Sequence, residues 1–293
     1  MHTDTNTPTD AVGWHLTRDL DDFLGRAGAF LHSRPALHTV PLTVTETLRA
    51  RGRSVYGVGA PEFGVLERDG AVRATFFRTP PYWLNLTALT PEDADALAAR
   101  LAALGRPLPG VNADRDTAAA FAAAWQRHTG APAALRQRQR LYRLGTLTAP
   151  APVPPGRPRV AVGSDRERLR SWHDEFSDSV GLGTVRDSAE WADARIDSGS
   201  VTFWETPDGT PVAMAGTSPR VAGQVRVTTV YTPPPFRGRG YAGAATAEVS
   251  RTALAAGADE VLLFTDLSNP TSNGLYQRIG YRPVADFAVY DFT

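Results

Sequence analysis

An alternating apolar run that stops at three prolines, then at a glycine-rich turn, leaves a chain few choices. Residues 225–244 read VRVTTVYTPPPFRGRGYAGA. Val225, Val227, Thr229 and Tyr231 alternate as one face of a strand. Pro233, Pro234 and Pro235 end it, because none can donate to a ladder. Arg237-Gly238-Arg239-Gly240-Tyr241-Ala242 then opens a small-residue helix running to Ala256. Glycines at such a junction let the backbone approach a ligand. Free N–H groups at the helix start, with the dipole behind them, favour an anion such as phosphate. The arginines add charge, and the stretch reads as a pyrophosphate cradle. A solvated basic turn is the plainer alternative. A dinucleotide fold is another, since Gly238, Gly240 and Gly243 fit G-x-G-x-x-G and Asp266 ends the next apolar run. Against it, prolines separate the strand from the first glycine, and too little chain follows Asp266 for further strand–helix units.

The remaining sequence bounds the chemistry. The 293 residues, 42% hydrophobic and 21% charged, suffice for two domains with sizeable cores. Formal net charge is +0, so bulk electrostatics points to neither nucleic acid nor membrane as partner. There is no lysine, which excludes a lysine nucleophile or Schiff base. There is no cysteine, which excludes disulfides, thiolates and cysteine-ligated metals and is compatible with a cytoplasmic location. The histidines are scattered without metal-ligand spacing, so no metal is expected. No apolar run reaches membrane-spanning length, and residues 1–12 read as a flexible tail, not a signal peptide.

Periodicity divides the chain in two. Helices are expected over Asp19 to His32, Val44 to Arg51, Thr90 to Leu104 and Thr117 to His128. Strands are expected at Phe63 to Arg68 and Val72 to Arg78, joined by Asp69-Gly70, then near Trp83 to Leu86 and at Arg140 to Leu144. Residues 148–158, TAPAPVPPGRP, read as a semi-rigid linker between domains 1–147 and 159–293. Beyond it come a strand at Val160 to Val162 and a helix opened by a Ser164/Glu167 capping box. A helix from Asp187 to Asp197 follows, then a hairpin at Val201 to Glu205 and Pro211 to Ala215. The cradle strand and helix come next, then a strand at Glu260 to Thr265, a helix from Pro270 to Arg278, and strand residues 284–292. The halves share an order of elements. RTPPYWLNLT at Arg78 parallels YTPPPFRGRG at Tyr231, prolines retained and glycines lost.

A second motif joins the cradle. Asn269-Pro270-Thr271-Ser272-Asn273-Gly274-Leu275-Tyr276-Gln277-Arg278-Ile279-Gly280-Tyr281 is an Asn-led helix carrying Leu-Tyr and ending Gly-Tyr. With Arg237, Gly240 and Ala242 at the positions of Arg/Gln-x-x-Gly-x-Gly/Ala, residues 225–281 resemble the GNAT family of N-acetyltransferases in motif order and spacing. The match from Val160 to Phe292 is by pattern of elements. The resemblance implies an α/β mixed-sheet fold in tandem, with a degenerate first copy.

The resemblance also implies acetyl-CoA, or another acyl-CoA, as donor, and a small-molecule or peptide amine as acceptor. Main-chain groups of Val230, Tyr231 and Thr232 would hold the pantetheine and acetyl carbonyl. Arg237, Gly238, Arg239, Gly240, Tyr241 and Ala242 would hold the pyrophosphate. Asn269 and Asn273 would line the pantetheine, and Tyr276 would protonate the departing sulfur. Each has a bland counterpart: Asn269 as a cap, Asn273 solvated, Tyr231 and Tyr276 as core. The family's frequent strand glutamate has no equivalent, since no carboxylate lies between Gln224 and Arg237. The base is therefore unassigned, with His173, Asp174 and Glu175 as candidates on a helix whose other reading is a solvated face. A non-catalytic acyl-CoA sensor or partner-binding module is the alternative function.

Overall fold

A computed structural model describes residues 13–57, 59–181 and 187–293, so the expected tail at 1–12 lies outside the described residues. The chain forms two compact units, Met1–Arg138 with Asp286–Thr293, and Gln139–Ala285. The division differs from the expected 148–158 boundary. The proline-rich stretch lies inside the second unit, and the last residues return to the first.

In the first unit, β1 (Trp14–Thr17) leads into α1 (Leu20–His32), α2 (Thr39–Arg51), β2 (Glu62–Arg68), β3 (Ala71–Arg78), β4 (Leu84–Leu86), α3 (Pro91–Ala103), β5 (Gly110–Asp114), α4 (Arg115–Thr129) and the start of β6 (Ala133–Leu144). The local reasons are visible in the residues. The Asp19 carboxylate caps α1, accepting from the Asp21 and Asp22 N–H groups. Asp69 and Gly70, both at positive φ, turn the β2–β3 hairpin. The sheet runs β1-β2-β3-β4-β5, antiparallel except for the parallel β4–β5 pair. Residues 287–291 complete it, antiparallel to β5. Phe76, Leu97, Val111 and Phe121 lie in its core. The short β5 gives no periodic signal, and Gly110 is needed because an added Cβ would run into the Tyr290 carbonyl oxygen.

The second unit repeats the order with β7 (Arg157–Val160), α5 (Arg166–Ser179), α6 (Ser188–Asp197), β8 (Val201–Glu205), β9 (Pro211–Thr217), β10 (Gln224–Tyr231), α7 (Tyr241–Ala255), β11 (Glu260–Asp266), α8 (Pro270–Arg278) and the start of β12 (Tyr281–Phe292). Its sheet runs β7-β8-β9-β10-β11, again antiparallel except for the parallel β10–β11 pair. Residues 139–143 of β6 add antiparallel to β11. Leu169, Trp172 and Phe176 face inward from α5 as the spacing predicts. The Ser164/Glu167 capping box does not form. Gly163–Asp165 is a 3₁₀ turn, and Asp165 does the bonding: it accepts the Val162 N–H at 2.9 Å and pairs with Arg159.

Candidate active site

The site is built where β10 changes character. From Gln224 to Val227 it pairs in parallel with residues 260–263 of β11. On its other side Thr228 stands opposite Gly216 and Tyr231 opposite Met214, so Thr229 and Val230 face one β9 residue. Thr229 has φ 46°, left-handed space that a β-branched side chain rarely enters. This is a β-bulge, and a bulge bends its strand. Pairing of β10 with β11 ends at Val227, while β11 continues to Asp266 beside β6. The parallel strands part, leaving a wedge beside residues 228–232. Neighbouring β9 is antiparallel, so the dinucleotide reading, which needs a parallel sheet, fails.

The wedge is polar in a specific way. The Thr228 and Thr232 hydroxyl oxygens are buried with no partner among the described residues. Val230 is half-buried against the second unit's core. Tyr231, 5% exposed, is buried as its bland reading holds, but its hydroxyl is directed. It donates to Glu175 Oε2 at 2.5 Å, and Glu175 Oε1 accepts from Ser171 at 2.9 Å. Burial first, and the carboxylate second, push the Tyr231 phenol up to about 12. Trp172 meets its ring edge-on at 6.0 Å. The other α5 candidates point elsewhere: His173 stacks on Trp191 at 4.2 Å, and its Nδ1 is 3.9 Å from Asp174.

The glycine turn follows. Pro234–Phe236 form a 3₁₀ turn, then Gly238 and Gly240 take φ 74° and 83°. Gly240 is the N-cap of α7 and makes no side-chain cap, so the first N–H groups of α7 have no acceptor within their own helix. Gly238, Arg239 and Gly240 are exposed, Ala242 is half-buried and Tyr241 is buried. Arg237 Nε donates to the Thr232 carbonyl at 2.9 Å, with its guanidinium 6.0 Å from the Tyr231 ring centre. Gly243 serves packing instead: a Cβ there would sit 3.1 Å from Leu275 on α8.

On α8 the Asn269 side chain caps the helix, accepting the Ser272 N–H at 3.0 Å. Asn273 is engaged inside the protein. Its Nδ2 donates to the Asp266 and Asn269 carbonyls, both at 2.7 Å, and its Oδ1 accepts from the Tyr142 hydroxyl at 2.9 Å. Gln277 donates to that same hydroxyl at 3.0 Å. Tyr142, on β6, and the bulge at Thr229 are parts of the site that the sequence reading did not single out. A tyrosine in a strand and a threonine in an alternating run carry no signal of either role. Tyr276 is 7% exposed, with its ring 6.1 Å from Tyr281. Its hydroxyl makes no hydrogen bond among the described residues. Burial pushes it up to about 12.

Comparison with known proteins bears on the family and the fold. Residues 166–281 match the family model "Acetyltransferase (GNAT) family". No curated protein matches the chain in sequence. Among solved structures, a GNAT-family acetyltransferase from Colwellia psychrerythraea superposes with TM-score 0.59 at 10% identity, over 95% of this chain and 98% of its own. A tandem GNAT protein from the clavulanic acid biosynthesis pathway, without acetyl-CoA, gives 0.56 at 13%, over 96% and 98%. A GCN5-related N-acetyltransferase from Sphaerobacter thermophilus gives 0.56 at 17%, over 89% and 92%. At such identities the likeness is one of fold, and it extends over both units.

Proposed function

We propose, because residues 166–281 match the GNAT acetyltransferase family model, that this protein moves an acetyl group from acetyl-CoA to the nitrogen of an amine. One observation carries the proposal. The wedge where β10 leaves β11 runs directly into a helix start whose N–H groups no side chain caps.

The donor's pyrophosphate lies on Arg237 to Ala242, against the N–H groups at the start of α7. Its pantetheine follows the free edge of β10 at Val230, Tyr231 and Thr232, as a strand would. Asn269 and Asn273 act by holding the start of α8, which sets where Tyr276 stands. In the reaction, the amine attacks the thioester carbonyl and charge builds on oxygen. A β10 N–H stabilises that charge, which is worth most in a site sheltered from water. The Tyr276 hydroxyl gives its proton to the departing thiolate. Burial keeps that proton in place at neutral pH, and the hydroxyl has no competing partner among the described residues.

The expected acceptor is a small-molecule or peptide amine. Calorimetry with CoA and thiol release from acetyl-CoA over a panel of amines test the reading. Binding with turnover is the expected result. Binding without turnover for every amine supports the sensor alternative, and no binding overturns both.

A further inference from the structure

The acceptor arrives as an ammonium ion and must lose a proton before its nitrogen can attack. β10 carries no carboxylate between Gln224 and Arg237 to take it. We infer that Glu175 is that base, and that the end of β10 beside it takes amines that are cationic in solution. The inference rests on the transferase reading above.

Four features single out this carboxylate. It is aimed: the Tyr231 hydroxyl holds Oε2 at 2.5 Å and the Ser171 hydroxyl holds Oε1 at 2.9 Å. Both donors are neutral, and no cation pairs with it among the described residues. Other acids of the unit are paired with arginine, Asp165 and Glu205 with Arg159, Glu167 with Arg170 and Asp193 with Arg166, while Asp174 lies 3.9 Å from His173. The nearby Arg237 lies against Tyr231 and forms no ion pair with Glu175, and an oriented carboxylate without an ion pair is a group that an ammonium completes. It is also placed: Tyr231 is the last residue of β10, just past the bulge that opens the wedge. Finally, Glu175 is itself exposed, so a proton it accepts can pass to water.

The step balances without a further reagent. Glu175 takes one proton from the ammonium, and the freed lone pair forms the C–N bond at the thioester carbon. The C–S bond breaks and the thiolate takes the Tyr276 proton. The surplus proton on nitrogen returns through water to Tyr276, and Glu175 releases its own to solvent. The products are amide, thiol and one proton. Tyr231 is a positioning residue, since it acts through Glu175.

The test uses the full chain, acetyl-CoA and four probe amines. Tyramine, agmatine and spermidine are cationic at neutral pH; hydroxylamine is not. Wild-type protein is expected to favour a cationic probe. Glu175→Gln should lower kcat/KM for that probe by about 10²–10⁴-fold. It should change hydroxylamine turnover only a few-fold and leave CoA affinity alone. Tyr231→Phe should follow the same split with a smaller loss, a pattern that a packing defect would not give. Glu175→Gln within a few-fold of wild type on the cationic probe overturns the inference. So does an equal loss on all four probes, or a wild-type preference for hydroxylamine. CoA binding without these effects leaves the transferase reading standing, whereas absence of CoA binding in wild-type protein removes both.

Discussion

The two units share one order of elements and differ at the junction that leads from β4 to α3 in the first and from β10 to α7 in the second. In the first, β4 and β5 pair at Leu84–Val111 and Asn85–Asn112, and the Asn112 Nδ2 donates to Asn85 Oδ1 at 3.1 Å, so side chains tie the two strands where their pairing ends. α3 then begins behind Thr90, whose hydroxyl accepts the Asp93 N–H at 3.2 Å. In the second, β10 bulges at Thr229 and leaves β11, and α7 begins behind Gly240 with no side-chain cap. A capped helix start is satisfied within the protein; an uncapped one is left for solvent or ligand. On the proposed reading, strand order and helix placement do not make a site; a bulge and an unfilled cap do, and among the described residues the first unit has neither at that junction.

The comparison can be broken most severely at Tyr276. Tyr276→Phe keeps the ring in its packing against Tyr281 and removes one hydroxyl. It should lower kcat by about 10²–10⁴-fold with donor affinity little changed. A loss of only a few-fold would return Tyr276 to a packing role and leave the proton for the thiolate to another group.

Gly240→Val attacks the uncapped start. At φ 83° a β-branched residue is strained by about 1–3 kcal/mol, so the turn must rearrange and redirect its N–H groups. CoA affinity by calorimetry should fall by roughly ten- to a hundredfold, while circular dichroism shows the fold retained. Unchanged affinity would mean that the glycine turn does not hold the donor.

Tyr142→Phe sharpens the account of how α8 is held. It removes the hydrogen bonds to Asn273 and from Gln277. Denaturant unfolding should show a loss of about 1 kcal/mol or somewhat more, with kcat reduced because Tyr276 is less firmly placed.

Alkaline stability reads the burial of Tyr276 directly. Its folded value, about 12, is raised above the roughly 10 of an unfolded tyrosine. The neutral phenol's contribution is full below the unfolded value and is lost as pH rises through the folded one. Tyr276→Phe should therefore lose less stability than wild type over that window, measured by thermal melts.

The smallest effect is expected in the first unit. Thr90→Gly gives α3 the kind of cap that α7 has, at a cost of a few tenths of a kcal/mol. Titration should still find one CoA per chain, because the Asn85–Asn112 junction stays joined. Two equivalent sites would mean that the cap alone makes the difference.

Much of this was legible from local chemistry. Proline after Tyr231, Gly240 at the helix start, Asp69-Gly70 in its hairpin and Asn269 before Pro270 act within a few residues of themselves, so their patterns predict strand, turn and cap. Helix faces such as Leu169, Trp172 and Phe176 were legible for the same reason, since periodicity is a local property. β5 was missed because a five-residue strand shows no period, and its glycine answers to Tyr290, far along the chain. The Ser164 cap was mistaken because Asp165 had a stronger partner in Arg159, outside the helix.

The proline stop after β10, the glycine turn before α7, the helix faces and the absence of a β10 carboxylate were thus set by the sequence alone. Three things were decided by tertiary structure. One is which strand each end of the chain joins: residues 287–291 pair with β5 and residues 139–143 with β11, so the contact boundary moves away from the prolines. Another is the bulge at Thr229, which depends on its register with β9. The last is the meeting of Glu175 with Tyr231, fifty-six residues apart. Each rests on groups distant in sequence, where pairing energy and burial, not local propensity, choose the partner.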